Sequence, residues 1–252
     1  MALIQCRFYS EVLGLNTSMT VILPDPDFSD SGSRPAPYPT LYLLHGLSDD
    51  DSAWTRQTSI ERYVSKYGIA VVMPQVFHSF YTNMVSGGDY WTFISEELPR
   101  IARSFFPLSS TREDNFTAGL SMGGYGAFKL ALSHPEQFAA AASLSGAVDV
   151  KTMKDRHPEL YGQIFGDKDI RGTNEDLFHL LERTSSADGA KPKLYQICGT
   201  EDFLYEDNLA FRDALSKSGM DYIYEEGPGD HNWEYWDARI QDVLAWLPIK
   251  QQ

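Results

Sequence analysis

Short apolar runs recur along the chain and alternate with stretches of helical periodicity from about residue 40 onward. Runs such as LYLL, AVVM and AAAASL are apolar at nearly every position, which is typical of strands buried on both faces of a parallel sheet. The predicted strands lie at residues 3–9, 19–23, 40–46, 68–74, 115–121, 139–146, 193–199 and 221–227. Helices are predicted at 52–66, 91–105, 122–133, 206–218 and 234–246.

This order of elements predicts an α/β fold with a mostly parallel sheet of about eight strands and helices on both faces. The first two strands indicate an opening hairpin, and Pro24 ends the second of them. Residues 24–39 are rich in proline and serine, which predicts a surface loop. The interval 147–190 breaks the alternation, so we expect a small insertion or lid there.

The segment GLSMGG carries the spacing G-x-S-x-G around Ser121, at the point where a predicted strand runs into a predicted helix. A serine on such a sharp turn has an exposed hydroxyl, and Gly119 and Gly123 keep side chains away from it. The N–H groups at the start of the helix, from Met122 onward, can stabilise a nearby oxyanion. The turn therefore predicts a nucleophilic serine, although glycine-rich turns also bind phosphate or simply close a loop.

A nucleophilic serine needs a base and an acid that orients the base, and both candidates follow it in the chain. His231 lies in GPGDHNW, directly after the last predicted strand, where an α/β-hydrolase places its base. The acid lies in CGTEDF, after the preceding strand, where Glu201 and Asp202 are adjacent. His45 also ends a strand, but it precedes Ser121, so the chain order excludes it as the base.

Five motifs together resemble the esterase D group of α/β-hydrolases, and within it the small bacterial tributyrin esterases. They are LYLLHGLS, YWTFISEELP at 90–99, GLSMGGYGA, CGTEDFLYE and GDHNWEYW, and they extend over nearly the whole chain. The resemblance implies a single α/β-hydrolase domain over residues 1–252. It also implies ester hydrolysis by Ser121, Asp202 and His231, with the backbone N–H groups of Leu47 and Met122 as the oxyanion hole.

The resemblance implies a serine carboxylesterase that acts through an acyl-enzyme. Short-chain, uncharged acyl esters of the tributyrin type are the expected substrates, and feruloyl or acetyl-sugar esters are the alternative. S-formylglutathione hydrolases of the same group typically carry a cysteine after HGL, whereas this chain reads HGLSDDDSAW, so a thioesterase is less favoured. An acyltransferase and a non-catalytic binding module are further alternatives.

Aromatic residues near the predicted catalytic loops are candidates for a substrate pocket, although core or rim packing is the favoured explanation for each one taken alone. These candidates are Trp54, Trp91, Phe203 and Trp233. The acidic run at residues 49–51 is best explained as a helix cap, because adjacent carboxylates converge poorly on a cation. We therefore expect no metal and no other cofactor.

Composition restricts the partners. The net charge of −14 disfavours nucleic acids and anionic membrane surfaces, which attract basic proteins. The chain has no apolar run of membrane-spanning length and no signal-peptide pattern at its start, and its two cysteines fall in separate apolar runs. We expect a cytoplasmic protein whose partner is a small ester, and the sequence leaves open whether it forms a homo-oligomer.

Overall fold

All eight predicted strands form in the computed structural model of the chain, which describes residues 1–25 and 36–250. The strands are β1 (Ala2–Ser10), β2 (Leu15–Leu23), β3 (Thr40–Leu44), β4 (Ala70–Pro74), β5 (Asn115–Leu120), β6 (Ala140–Leu144), β7 (Lys193–Gly199) and β8 (Tyr222–Gly227). They form one sheet in the order β1-β2-β4-β3-β5-β6-β7-β8. The predicted loop at 24–39 lies largely outside the described residues.

The sheet is parallel from β4 to β8, whereas β1 and β2 form an antiparallel hairpin that joins β4 at one edge. The helices are α1 (Ala53–Gln57), α2 (Ile60–Val64), α3 (Tyr90–Thr92), α4 (Leu98–Phe105), α5 (Met122–Ser133), α6 (Met153–Arg156), α7 (Pro158–Phe165), α8 (Leu177–Ser186), α9 (Tyr205–Ser218) and α10 (Trp233–Trp246). The predicted mostly parallel α/β fold is confirmed.

Both faces of the sheet are covered by apolar helix faces. Along β3, Leu41 and Leu43 pack towards α1, α2 and α10, whereas Tyr42 and Leu44 pack towards α4, α5, α8 and α9. This alternation follows from the two-residue repeat of a strand, and burial on both faces explains why the central strands are largely apolar.

Two predicted helices differ from the structure in detail. The helix predicted at 52–66 divides into α1 and α2, because the Thr58 hydroxyl accepts the N–H of Ile60 at 3.0 Å and replaces a helical bond. The helix predicted at 91–105 is continuous but contains a π-helical turn, Phe93–Glu97, between α3 and α4. Pro99, which has no N–H to donate, follows this turn directly.

The predicted insertion at 147–190 is helical. After β6 the chain forms a short 3₁₀ turn, Val150–Thr152, followed by α6, α7 and α8, before it returns to the sheet as β7. Its last helix, α8, packs against α5, so the insertion lies on the same face of the sheet as the helix that follows Ser121.

Candidate active site

Ser121 occupies a sharp turn between β5 and α5. Its backbone angles are φ 53° and ψ −118°, a conformation that is strained for a residue with a side chain. The turn is held from both sides, because the N–H of Ser121 donates to the Leu144 carbonyl at 2.9 Å and its carbonyl accepts the N–H of Ala147 at 3.0 Å. The backbone thus projects the serine hydroxyl beyond the carboxyl edge of the sheet.

The glycines that flank Ser121 are required by close backbone approach. A Cβ added at Gly119 would collide with the backbone of Gly123, and one added at Gly123 would collide with the carbonyl oxygen of Leu44. Because these obstacles are main-chain atoms, they cannot rotate away. The first turn of α5 therefore packs directly on β3 and β5, which fixes the height of Ser121 above the sheet.

Ser121, His231 and Asp202 form a continuous hydrogen-bonded chain. Nε2 of His231 lies 3.0 Å from Oγ of Ser121, and Nδ1 lies 2.8 and 3.0 Å from the two carboxylate oxygens of Asp202. The Asp202 side chain is fully buried, and its Oδ1 also accepts the N–H of Leu204 at 2.8 Å. This geometry allows proton transfer from the serine to a histidine whose other nitrogen is held by a carboxylate.

The adjacent carboxylate of Glu201 is directed elsewhere. Its side chain is exposed and accepts the N–H of Gly229, a hydrogen bond that holds the pKa of Glu201 below its usual value. Of the two acids that the CGTEDF motif offered, the structure brings Asp202 to the histidine.

The His231 ring is packed between two aromatic side chains. The ring of Phe203 lies 4.5 Å from it, and Trp236 meets it edge-on at 4.9 Å. The loops that carry Asp202 and His231 are also joined through their backbones, since Glu201 N–H donates to the Gly229 carbonyl at 3.0 Å. His231 is therefore positioned by both its own packing and the loop that carries Asp202.

His45 organises the loop that contains Leu47. Its Nε2 accepts the N–H of Val76 at 3.2 Å, so the remaining proton lies on Nδ1, which donates to the Gly46 carbonyl at 2.7 Å. Burial lowers the pKa of His45, which agrees with this neutral form. Within the described part of the chain, the N–H groups of Leu47 and Met122 donate to no protein acceptor.

A cavity of about 50 Å³ opens at Ser121. Most of its wall is apolar, and much of it comes from the start of the insertion. The lining residues are Leu47, Phe80, Ser121, Ala147, Asp149, Val150, Thr152, Met153, Arg156, His157, Phe203 and Leu204. A larger open groove of about 470 Å³ lies beside α1 and α2, but it contains none of the three hydrogen-bonded residues, so its size alone does not mark a site.

The four aromatic candidates for the pocket lie in different places. Phe203 is 62% exposed and lines the cavity. Trp54 is buried, donates to the Leu44 carbonyl at 3.1 Å and packs edge-on against Trp233 in the core on the opposite face of the sheet. Trp91 stacks on His134 at 5.7 Å.

Most of the cavity wall could not be assigned from sequence patterns. The sequence predicted an insertion or lid at 147–190, but the segment 149–157 has no regular apolar period that would single out its residues as the cavity wall. Phe80 comes from a loop distant in sequence. Its one visible signal was its position after the AVVMP strand, a signal that it shared with several aromatic neighbours.

The carboxylates in the acidic run at 49–51 do not converge on a common point. Asp50 accepts the N–H and hydroxyl of Ser52, whereas Asp51 accepts the hydroxyls of Ser18 and Thr20 at 2.9 and 2.8 Å. Across residues 1–25 and 36–250, no three or more His, Cys, Asp or Glu side chains group as metal ligands. None of the helices described is long and apolar enough to cross a bilayer.

Similarity to known proteins agrees with this site. Residues 10–247 match the family described as "Putative esterase". An acetyl esterase from Caldicellulosiruptor saccharolyticus is 33% identical over 98% of both chains. Among solved structures, the substrate-bound fluorophosphonate-binding serine hydrolase F of Staphylococcus aureus is 41% identical, with a TM-score of 0.92 and 99% of both chains covered. An S-formylglutathione hydrolase of the same species is 40% identical, with a TM-score of 0.87 over 98% of both chains.

The family match spans nearly the whole chain, and the similar structures share both the fold and the serine-hydrolase character that the turn at Ser121 predicts. The chain therefore belongs to this esterase family: it is a serine carboxylesterase of the esterase D-like group, built on the α/β-hydrolase fold.

Proposed function

We propose that the protein hydrolyses short-chain, uncharged carboxylic esters through an acyl-enzyme on Ser121, with His231 as the base and Asp202 as the acid that orients it. The observation that carries this proposal is the hydrogen-bonded chain from Ser121 Oγ through His231 to Asp202 beside a small apolar cavity.

In the first half-reaction, Ser121 Oγ attacks the acyl carbon and its proton passes to Nε2 of His231. When the tetrahedral intermediate collapses, the bond to the alcohol oxygen breaks, and Nε2 returns the proton to that oxygen. Water then attacks the acyl-enzyme by the same route, and the carboxylic acid leaves. Asp202 keeps the remaining histidine proton on Nδ1 and stabilises the imidazolium that forms at each step.

The backbone N–H groups of Leu47 and Met122 are the proposed oxyanion donors. Met122 follows Ser121 in the chain and begins α5. Leu47 is distant in sequence but lines the same cavity as Ser121. Because the donors are main-chain groups on packed elements, they need no rearrangement as charge develops on the oxygen. Each such donor contributes about 3 kcal/mol to stabilisation of the transition state.

The size of the cavity supports a short acyl group. A cavity volume of about 50 Å³ favours an acyl group of few non-hydrogen atoms, such as acetyl to butyryl. A planar feruloyl group has more than twice as many non-hydrogen atoms as a butyryl group, so most of it would lie outside this cavity. The similarity to an acetyl esterase supports the same size range.

S-formyl thioesters are the second candidate. A formyl group is smaller than acetyl and fits the same cavity, and one similar structure is an S-formylglutathione hydrolase. The absence of a cysteine after HGL still favours oxygen esters.

The proposal is tested with p-nitrophenyl acetate, butyrate and octanoate, methyl ferulate, acetylated xylan and S-formylglutathione. We expect the highest kcat/KM on acetate or butyrate. Ser121→Ala should abolish hydrolysis while the circular dichroism spectrum remains that of the wild type, because the change removes only the hydroxyl. Activity retained by this variant would exclude Ser121 as the nucleophile.

A further inference from the structure

Lys129 is a fully buried lysine on α5, about two turns after Ser121. Its ammonium donates to the Tyr81 carbonyl at 3.1 Å and to the Thr82 hydroxyl at 2.9 Å, and it pairs with the carboxylate of Glu175. All three hydrogen-bonding positions of the ammonium are thus used. The residue takes no part in the reaction described above, so its burial needs another explanation.

Aromatic rings complete the environment of this ammonium. Nζ lies 4.5 Å from the centre of the Trp91 ring and 5.7 Å from that of Tyr125. Removing a lysine from water is costly unless it is paired and hydrogen-bonded, and here every face of the charge has a partner. Burial lowers the pKa of Lys129, whereas the neighbouring Glu175 carboxylate acts in the opposite direction.

The first segment that Lys129 holds is a strained loop. Phe77, Phe80 and Tyr81 all have φ near +50°, although none of them is glycine. Such conformations persist only where the surroundings hold them. Lys129 binds the carbonyl of Tyr81, and the Tyr81 hydroxyl donates to the His45 carbonyl at 2.9 Å. Phe80, in the middle of this loop, forms part of the cavity wall.

The second segment is the part of the insertion just before α8. Glu175 lies there, and residues 149–157 at the beginning of the same insertion form part of the cavity wall. Glu175 is held at three points: by Lys129, by the Thr82 hydroxyl at 2.9 Å, and by the Tyr125 hydroxyl, which donates to its backbone carbonyl at 3.0 Å. Two backbone bonds, from Val85 to Ile164 and from Ser86 to Gln163, further connect the loop to α7.

We propose that Lys129 is a positioning residue that sets the width of the acyl cavity by tying the Phe80 loop and the insertion to the helix that follows Ser121. The proposal deepens the function proposed above and depends on it. When the ammonium is removed, the two walls lose their shared attachment to α5, the cavity becomes able to widen, and discrimination against long acyl chains falls.

The test compares kcat/KM for p-nitrophenyl acetate with that for p-nitrophenyl octanoate in Lys129→Met and Glu175→Ala. This ratio does not depend on the fraction of folded enzyme, because both substrates encounter the same active molecules. We expect the preference for acetate to fall by about tenfold in both variants, since each methylene at a tight wall changes discrimination by about that factor or more. Glu175→Gln keeps a hydrogen-bond acceptor in a side chain of the same shape, so this variant should retain most of the wild-type ratio.

Arg171→Met is the matched control. Arg171 also belongs to an ion pair within the insertion, with Asp169, but both side chains are exposed, so its loss should leave the ratio unchanged. Should Lys129→Met fail to fold, Glu175→Ala decides the matter, because the Glu175 side chain is 26% exposed and the Lys129 ammonium keeps its hydrogen bonds to Tyr81 and Thr82.

A ratio within about twofold of wild type in Glu175→Ala, or one that shifts towards acetate, would overturn the role of Lys129 while leaving the esterase proposal intact. That threshold lies well below the effect of one methylene at a tight wall. Wild-type protein that hydrolyses neither ester would overturn both.

Discussion

Two adjacent carboxylates in one motif have opposite environments. Asp202 is 5% exposed and is held by His231 and the Leu204 N–H, whereas Glu201 points to solvent and caps the N–H of Gly229. The backbone decides between them, because the turn after β7 sends successive side chains in different directions. Residue type and order in the sequence narrowed the acid to this pair, and the resemblance favoured Asp202, but only the orientation of the side chains separates them physically.

Asp202→Asn should lower kcat on p-nitrophenyl butyrate by about 10⁴, because an amide next to Nδ1 favours the wrong histidine tautomer and does not stabilise the imidazolium. Glu201→Gln is the matched change at the exposed neighbour, and its effect should stay below about threefold. Steady-state kinetics at one pH, with the folded fraction of each variant checked by circular dichroism, measures both. The reverse order of effects would assign the acid to Glu201.

The sequence predicted helices and strands best where all residues of the element are buried. The strands from β3 to β7 are buried at nearly every position because helices cover both faces, and α5 begins and ends where its pattern predicted. The division between α1 and α2 was not predictable, because it depends on a hydroxyl of Thr58 competing for a backbone N–H. The insertion was predicted only as an interval, and its individual lining residues were not identified, because their contact with the loop after β4 depends on tertiary packing.

Helix α9 carries a buried polar link between the acid loop and the turn at Ser121. The amide of Asn208 donates to the Gly146 and Leu204 carbonyls, each at 2.9 Å, and the residue accepts from Gln196. Gly146 precedes Ala147, whose N–H holds the carbonyl of Ser121. The acid loop and the nucleophile turn are thus attached to the same buried side chain.

Asn208→Leu should destabilise the protein by about 1–3 kcal/mol, because it leaves the Gly146 carbonyl buried without a partner and removes one of the two acceptors of the Gln196 amide. It should also lower kcat in the fraction that remains folded, since Asp202 and Ser121 lose a common support. Urea unfolding and active-site titration measure the two effects. Asn174→Leu, at an exposed asparagine in the insertion, should change stability by no more than about 0.5 kcal/mol. Equal stability of the two variants would contradict the link.

At the scale of the whole molecule, the carboxyl edge of the sheet is held together by a neutral histidine. His45 joins the end of β3 to the segment after β4 through Val76, and its own carbonyl accepts the Tyr81 hydroxyl at 2.9 Å. Because burial lowers the pKa of His45, the folded protein resists protonation that the unfolded chain accepts. The free energy of unfolding therefore depends on pH through His45, which lies at the sheet edge where Ser121, Asp202 and His231 meet.

The free energy of unfolding should therefore fall as pH drops below about 6.5, the ordinary histidine pKa, with His45 contributing up to about 1.4 kcal/mol per pH unit. The sign follows because the unfolded state binds a proton in this range and the folded state does not. His45→Gln removes the titration, so its stability should depend less steeply on pH between about 6.5 and 5. Urea unfolding at several pH values measures the slopes. Tyr81→Phe removes a hydrogen bond of the same network but leaves His45 in place. The plot of its unfolding free energy against pH should therefore run parallel to that of the wild type. If His45→Gln also ran parallel, protonation of His45 would not limit acid stability.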